Sequence, residues 1–176
     1  MADINFSKVA TTMRDETAAG AGATGPADAP GHVDLIELIF FSYRDFVGDA
    51  DQLLARFGFG RAHHRVLHFV ERNPGMRVTD LLDLLRITKQ SLGRVLKQLV
   101  DEGYIVQTPG EVDRRQRLLT TTPRGSRLAR ELIALQSRRI DHALASLSPA
   151  EQPAVRRFLE AMIGGGEGAP PADDIA

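Results

Sequence analysis

Residues 88–103, TKQSLGRVLKQLVDEG, form the stretch on which the reading of this chain turns. Thr88 can offer its hydroxyl oxygen to a free backbone N–H at a helix start, and Gly103 can take the left-handed conformation that stops a helix. The stretch therefore predicts one complete helix. Leu92, Val95, Leu96, Leu99 and Val100 recur at i, i+3, i+4, i+7 and i+8, which gives one buried stripe. Gln90, Arg94 and Lys97 recur on the opposite side. A short helix with one apolar face and one basic, amide-bearing face suits a DNA major groove.

On the N-terminal side, RAHHRVLHFVER (61–72) predicts a helix with Val66, Leu67, Phe69 and Val70 inward, ended by Asn73-Pro74-Gly75. Val78, Leu81, Leu82, Leu84 and Leu85 predict a short helix up to Arg86, with Thr79 as its cap. Two short helices joined by a tight turn, the second polar on its outer face, have the layout of a helix-turn-helix. On the C-terminal side, residues 104–107 and 118–122 alternate as strands around the charged segment 111–117, which predicts a hairpin with a basic tip. Pro123 can occupy the first turn of a long helix through about Ser146. SPAE (148–151) has capping-box spacing and opens a last helix with Val155, Phe158, Leu159 and Met162 along one stripe. At the front, residues 33–57 read as one long helix or two broken near Gly48. Its apolar residues cover more circumference than one partner needs, which suits a subunit interface as well as a core. Residues 1–31 and 164–176, rich in Gly, Ala and Pro, are expected to be disordered tails.

A net charge of −1 over 176 residues argues at first against a polyanionic partner. Its distribution argues otherwise. Residues 1–60 hold 4 basic and 9 acidic residues, residues 61–130 hold 14 and 7, and residues 131–176 hold 4 and 7. Because salt screens each charge beyond about 8 to 10 Å, the basic middle third governs phosphate contact. The chain has no Cys, which excludes disulfides, thiolate metal sites, Cys nucleophiles and thiol redox sensing. No signal-peptide layout and no apolar run of roughly 20 residues is present, so a cytoplasmic location is expected. No Gly-rich phosphate loop, GxSxG, HExxH or carboxylate pair in a cleft context occurs. An enzyme is not expected, nor a cofactor.

Helix, helix, basic hairpin and flanking long helices, in this order over about residues 33–163, resemble the MarR family of winged helix-turn-helix transcription regulators. The resemblance is carried by ITKQSLGRVLKQLVDEGYI (87–105), by Asp113-Arg114-Arg115-Gln116-Arg117 where the family shows Asp-x-Arg with further basic residues, and by LTTTPRG (119–125). RAHHRVLHFVERNPGM and TKQSLGRVL are similar to its PetP subgroup. Leu118 departs from the family, which has a basic residue there. The resemblance implies a mainly α fold with a small β-hairpin wing over residues 32–163. Residues 60–122 would be the DNA-binding lobe, and residues 33–57 and 123–163 the dimerisation helices. It also implies a homodimer on a pseudo-palindromic operator with half-sites about one helical turn, roughly 34 to 36 Å, apart. Repression, relieved by a small effector in a crevice between lobe and dimer helices, is the behaviour expected of such a family.

Candidate residues follow from that layout. Lys89, Gln90, Ser91 and Arg94 occupy the part of a recognition helix that reaches base edges, where a good bidentate pair discriminates by about 1 to 3 kcal/mol. Lys97 and Thr88 are placed to meet phosphate, Thr88 also to cap. Arg114, Arg115 and Arg117 are assigned to the wing tip, where an Arg can enter a narrow minor groove, and Asp113 to pairing with a neighbouring Arg. The family pattern maps its usual wing Arg onto Arg115. Phe40, Tyr43, Arg44, His64 and His68 are candidates for effector contact, with Phe41 as a further apolar wall. Two alternatives stay open: a metal- or haem-responsive regulator using His63, His64 and His68, with His32, His142 or carboxylates brought in by folding completing a ligand set, and a winged-helix module that docks an acidic protein.

Overall fold

A computed structural model describes residues 31–164 of the chain, so both expected tails lie almost wholly outside the described residues. The elements in order are α1 (Val33–Ala55), α2 (Arg61–Arg72), β1 (Met76–Arg77), α3 (Val78–Leu85), α4 (Lys89–Asp101), β2 (Ile105–Pro109), β3 (Arg117–Thr121), α5 (Pro123–Leu144) and α6 (Gln152–Gly164). The chain divides at Ile39 into two units. In the first, the opening turns of α1, Val33, Leu35, Ile36, Leu38 and Ile39 are all exposed. The second unit, from Phe40 onward, holds the core. No described helix is long and apolar enough to cross a membrane.

That core is assembled from one stripe per helix. Ala50, Leu53 and Leu54 of α1, Val66, Leu67 and Val70 of α2, Leu81 of α3, Leu92, Leu96 and Leu99 of α4, and Leu128, Ala129 and Leu132 of α5 are buried together with Tyr104, Ile105 and Leu119. Burying a Leu or Val side chain contributes about 1.5 to 3 kcal/mol, so these rows, more than helix propensity, hold the short helices α3 and α4. Helix α6 differs: it buries no residue, and Val155, Phe158, Leu159, Met162 and Ile163 are all exposed.

The helix boundaries have identifiable causes. The Thr88 hydroxyl accepts from the Ser91 N–H at 3.2 Å, and Gly103 stops α4 at φ +74°. Thr122 caps α5 by accepting from the Gly125 N–H at 3.1 Å, with Pro123 in the first turn. At residues 148–151 the Ser148 N–H donates back to Glu151 at 2.8 Å, as the spacing predicts, although the regular helix starts only at Gln152.

Of the two readings of residues 33–57 the single helix holds: α1 runs unbroken through Gly48. One expectation is corrected and one is extended. Thr79 does not cap α3: it lies inside the helix, and the N-cap is Arg77, whose N–H donates to Asp80 at 3.2 Å while its guanidinium pairs with the same carboxylate at 2.6 Å. The β-structure is a three-stranded antiparallel sheet of order β1-β3-β2, not a hairpin alone. Strand β1 pairs Met76 with Leu119 and Arg77 with Leu118, and β2 pairs Ile105 with Thr121 through Pro109 with Arg117. Leu118, the residue that departs from the family pattern, thus stands in the central strand between Arg77 and Thr108.

The sheet is fastened to the helices at two points. Glu71 of α2 accepts from Thr121 of β3 at 2.6 Å and from Ser126 of α5 at 2.7 Å, and pairs with Arg130 of α5 at 3.3 Å. The Thr121 hydroxyl, then Ser126 and Arg130, hold the Glu71 carboxyl below its ordinary pKa. At the second point, Tyr104 accepts from the Thr122 N–H at 2.9 Å, which brings α5 so close that a Cβ on Gly125 would lie 2.0 Å from the Tyr104 carbonyl oxygen. Any side chain at residue 125 must push α5 away from β2. Gly125→Ala is expected to destabilise the fold by about 1 to 3 kcal/mol, a cost typical of overpacking. Thermal unfolding of the two proteins measures it, and equal melting temperatures would refute the close approach.

Candidate nucleic-acid interface and effector cavity

Because Leu92, Leu96 and Leu99 are turned into the core, the opposite side of α4 is presented outward: Lys89, Gln90, Arg94 and Lys97 are exposed. The hydroxyls of Thr88 and Ser91 are 2.9 Å apart at the helix start. Lys97 pairs with Asp101 one turn on. Such an exposed pair contributes little to stability, about 0.3 to 0.5 kcal/mol, so the ammonium can be recruited by a stronger anion.

The wing stands beside this face. An open groove of about 680 Å³ has a floor of Val78, Leu82, Leu92, Leu96 and Val100, and its rim carries Lys89 and Lys97 of α4 and Arg115 and Arg117 of the wing. Basic residues from two elements, 18 or more positions apart in sequence, therefore border one concave surface. Arg117 is not at the tip, as expected, but opens β3 opposite Pro109. Asp113 shapes the tip otherwise than by pairing with an Arg side chain: its Oδ1 accepts from the Arg115 backbone N–H at 2.9 Å. The turn is closed by Gln116 N–H to the Asp113 carbonyl at 3.0 Å and Gly110 N–H to the Gln116 carbonyl at 3.1 Å. Arg114 and Arg115 project from this turn and are exposed.

A separate cavity of about 330 Å³ lies among α1, α2 and α5, lined by Tyr43, Phe46, Val47, Arg61, His64, Arg65, His68, Phe69 and Gln136. Three of the five effector candidates, Tyr43, His64 and His68, meet there. Phe40 and Arg44 are not among its described lining residues; Phe40 is 65% exposed and Arg44 pairs with Asp45 at 2.8 Å. Sequence reasoning missed Arg61, Arg65 and Gln136, exposed-looking positions on amphipathic helices that only the packing brings to one opening. Arg61 lies over the Tyr43 ring at 5.7 Å and donates to Asp51 at 2.9 Å.

The histidines do not form one cluster. His63 accepts from the Gly60 N–H and faces Gln98 across 2.9 Å, whereas His64 and His68 line the cavity. Among the described residues no group of three or more His, Asp or Glu is placed to hold a metal ion. Burial, and then the neighbouring His68, lowers the His64 pKa below its ordinary value; burial, and then Arg72, does the same for His68.

Comparison with known proteins places this arrangement. The MarR family model matches residues 57–116. The HTH-type transcriptional regulator PetP of Rhodobacter capsulatus is 44% identical over 128 residues, covering 73% of this chain and 77% of that protein. Among solved structures, MarR superposes with a TM-score of 0.60 at 22% identity, covering 80% of this chain and 93% of that one. A DNA complex of S. aureus MepR gives 0.62 at 18%, covering 74% and 96%. A putative regulator from Listeria monocytogenes, complexed with a 26mer DNA, gives 0.64 at 20%, covering 73% and 85%.

The lowered histidine pKa values carry a signed consequence. Below the ordinary His pKa of about 6.5 the unfolded chain binds protons that the folded chain refuses, so stability is fully present above that pH and falls as pH drops below it. His64→Gln is expected to flatten this part of the stability–pH curve, whatever its effect at pH 8. Urea unfolding between pH 8 and pH 5 measures the slope, and an unchanged slope would contradict a buried neutral His64.

Proposed function

The chain belongs to the MarR family of transcriptional regulators, and on that footing we propose that it is a homodimeric repressor that binds a pseudo-palindromic DNA operator and releases it when a small effector is bound. The observation that carries the DNA reading is the shared surface of α4 and the wing, where Lys89, Lys97, Arg115 and Arg117 border one groove. On it, Gln90 and Arg94, with Lys89 and Ser91, read base edges in the major groove; Thr88 and Lys97 take phosphate; Arg114, Arg115 and Arg117 contact the backbone and the minor groove, and Asp113 holds the turn that aims them. The DNA complexes of the two structural neighbours are in keeping with this surface.

The homodimer is supported by exposed apolar side chains at both ends of the described chain. Val33, Leu35, Ile36, Leu38 and Ile39 near one end, and Phe158, Leu159, Met162 and Ile163 near the other, are each more than a third exposed. A soluble monomer rarely leaves such rows uncovered. The domain division proposed is residues 60–122 for DNA contact and residues 33–57 and 123–163 for dimerisation. For the effector, the cavity of Tyr43, His64 and His68 is the site we favour, lined by apolar Phe46, Val47 and Phe69 together with polar side chains. Phe40 and Arg44 remain candidates only if the bound state extends the cavity.

Two measurements test this. Arg94→Ala should cost about 1 to 3 kcal/mol of operator binding and little non-specific binding, whereas Arg115→Ala should weaken both and reduce the salt slope. A mobility-shift titration over salt reads the difference, and equal effects of the two changes would overturn the division of roles. Deletion of residues 147–176 should give monomers or insoluble protein by size-exclusion with light scattering; a soluble, DNA-binding dimer would overturn the assembly.

A further inference from the structure

The apolar row of α4 fixes its depth in the core and which side faces out, but sets its roll only coarsely, because contacts between methyl groups have no direction. A roll of about 10° moves side-chain ends, some 5 to 6 Å from the helix axis, by about 1 Å, which is twice the roughly 0.5 Å width of good hydrogen-bond distances. Recognition through Gln90 and Arg94 therefore needs a directional restraint on the helix. The described structure contains one.

His63 of α2 accepts the Gly60 N–H at Nδ1 across 3.1 Å, so the ring proton sits on Nε2, which then donates to Gln98 Oε1 of α4 at 2.9 Å. Gln98 Nε2 in turn donates to Glu102 Oε1 at 2.9 Å. The Glu102 carbonyl accepts from Arg124 Nη1 of α5 at 2.9 Å, and the Arg124 guanidinium lies over the Tyr104 ring at 4.3 Å. Tyr104 meets Phe59 edge-on at 4.9 Å, and Phe59 stacks on His63 at 4.8 Å. The circuit closes on itself around the C-terminal end of α4. Each polar link is directional, and the members come from α2, the C-terminal turn of α4, α5 and the segments just before α2 and just after α4.

We propose that His63 and Gln98 are positioning residues for the recognition helix, fixing its roll so that Gln90 and Arg94 meet base edges. The inference rests on the proposed DNA contact of α4 and adds residues on its inner side that touch no DNA. Binding that depends on phosphate charge tolerates a roll; binding that depends on bidentate base contacts does not. Loss of the clasp should thus remove selectivity and leave non-specific affinity.

The probe is a duplex enriched by the full-length wild-type protein from a random-sequence pool, set against a shuffled duplex of the same composition, both followed by fluorescence anisotropy. Gln98→Ala should weaken binding to the enriched duplex by about five- to tenfold, the size of one lost directional hydrogen bond, and binding to the shuffled duplex by less than about twofold. His63→Asn, whose shorter side chain can still accept the Gly60 N–H but not reach Gln98, should do the same, and the double variant should lose no more than either single one. Gln98→Glu alone sets two carboxylates at i, i+4 and should weaken selective binding; Gln98→Glu with Glu102→Gln rebuilds the donor–acceptor chain and should recover it. Melting curves of every variant accompany the titrations. Retained selectivity in Gln98→Ala, equal loss on both duplexes, or failure of the well-folded paired exchange (Gln98→Glu with Glu102→Gln) to recover selectivity would each overturn the proposal. If the wild type enriches no duplex, the regulator reading fails and takes this inference with it; selective wild-type binding with indifferent variants sinks the clasp alone.

Discussion

The burial of Leu92, Leu96 and Leu99 against α2 is the constraint from which the rest of the molecule follows. Those three leucines cannot be in the core unless the other side of α4 is out, and the other side carries Lys89, Gln90, Arg94 and Lys97. The same row sets the place of the wing, because β2 begins four residues after α4 ends and Tyr104 and Ile105 enter the core beside Leu99. A hydrophobic requirement, with no reference to DNA, thereby decides which charges face solvent and next to what.

Much of this was legible in the sequence, for a stated reason. Helix α2 matches its expected bounds because its apolar stripe coincides with its terminators; α4 does so because Thr88 and Gly103 are both a chemical cap and a stop. Strand β1 was not legible: two residues carry no period, and Met76 and Arg77 become a strand only because β3 offers an open edge. Asp80 rather than Thr79 secures the start of α3, since a carboxylate reaching back from the third helical position outcompetes a hydroxyl already inside the turn.

The candidate sites divide the same way. Residue type and spacing found the exposed row of α4 and the arginines of the wing, because local periodicity determines which way they point. The cavity was half legible. Tyr43, His64 and His68 share it, but its α1 wall spans only the turn from Tyr43 to Val47, and periodicity along a helix says nothing of where along its axis a neighbour ends. Phe40, a turn earlier, lies beyond that wall. Arg61, Arg65 and Gln136 belong to it through packing alone.

The order β1-β3-β2 leaves β2 with a free edge, and that edge bears on how the protein behaves in concentrated solution. An exposed strand edge is a template on which another chain can stack, and amyloid grows in this way. Here the strand is five residues long, its last residue is Pro109, which lacks the N–H that a further strand would accept, and the adjoining turn carries the repulsive charges of Arg114 and Arg115. The arginines assigned to nucleic acid thus also act as gatekeepers, keeping one wing from zipping onto the next before any DNA is met.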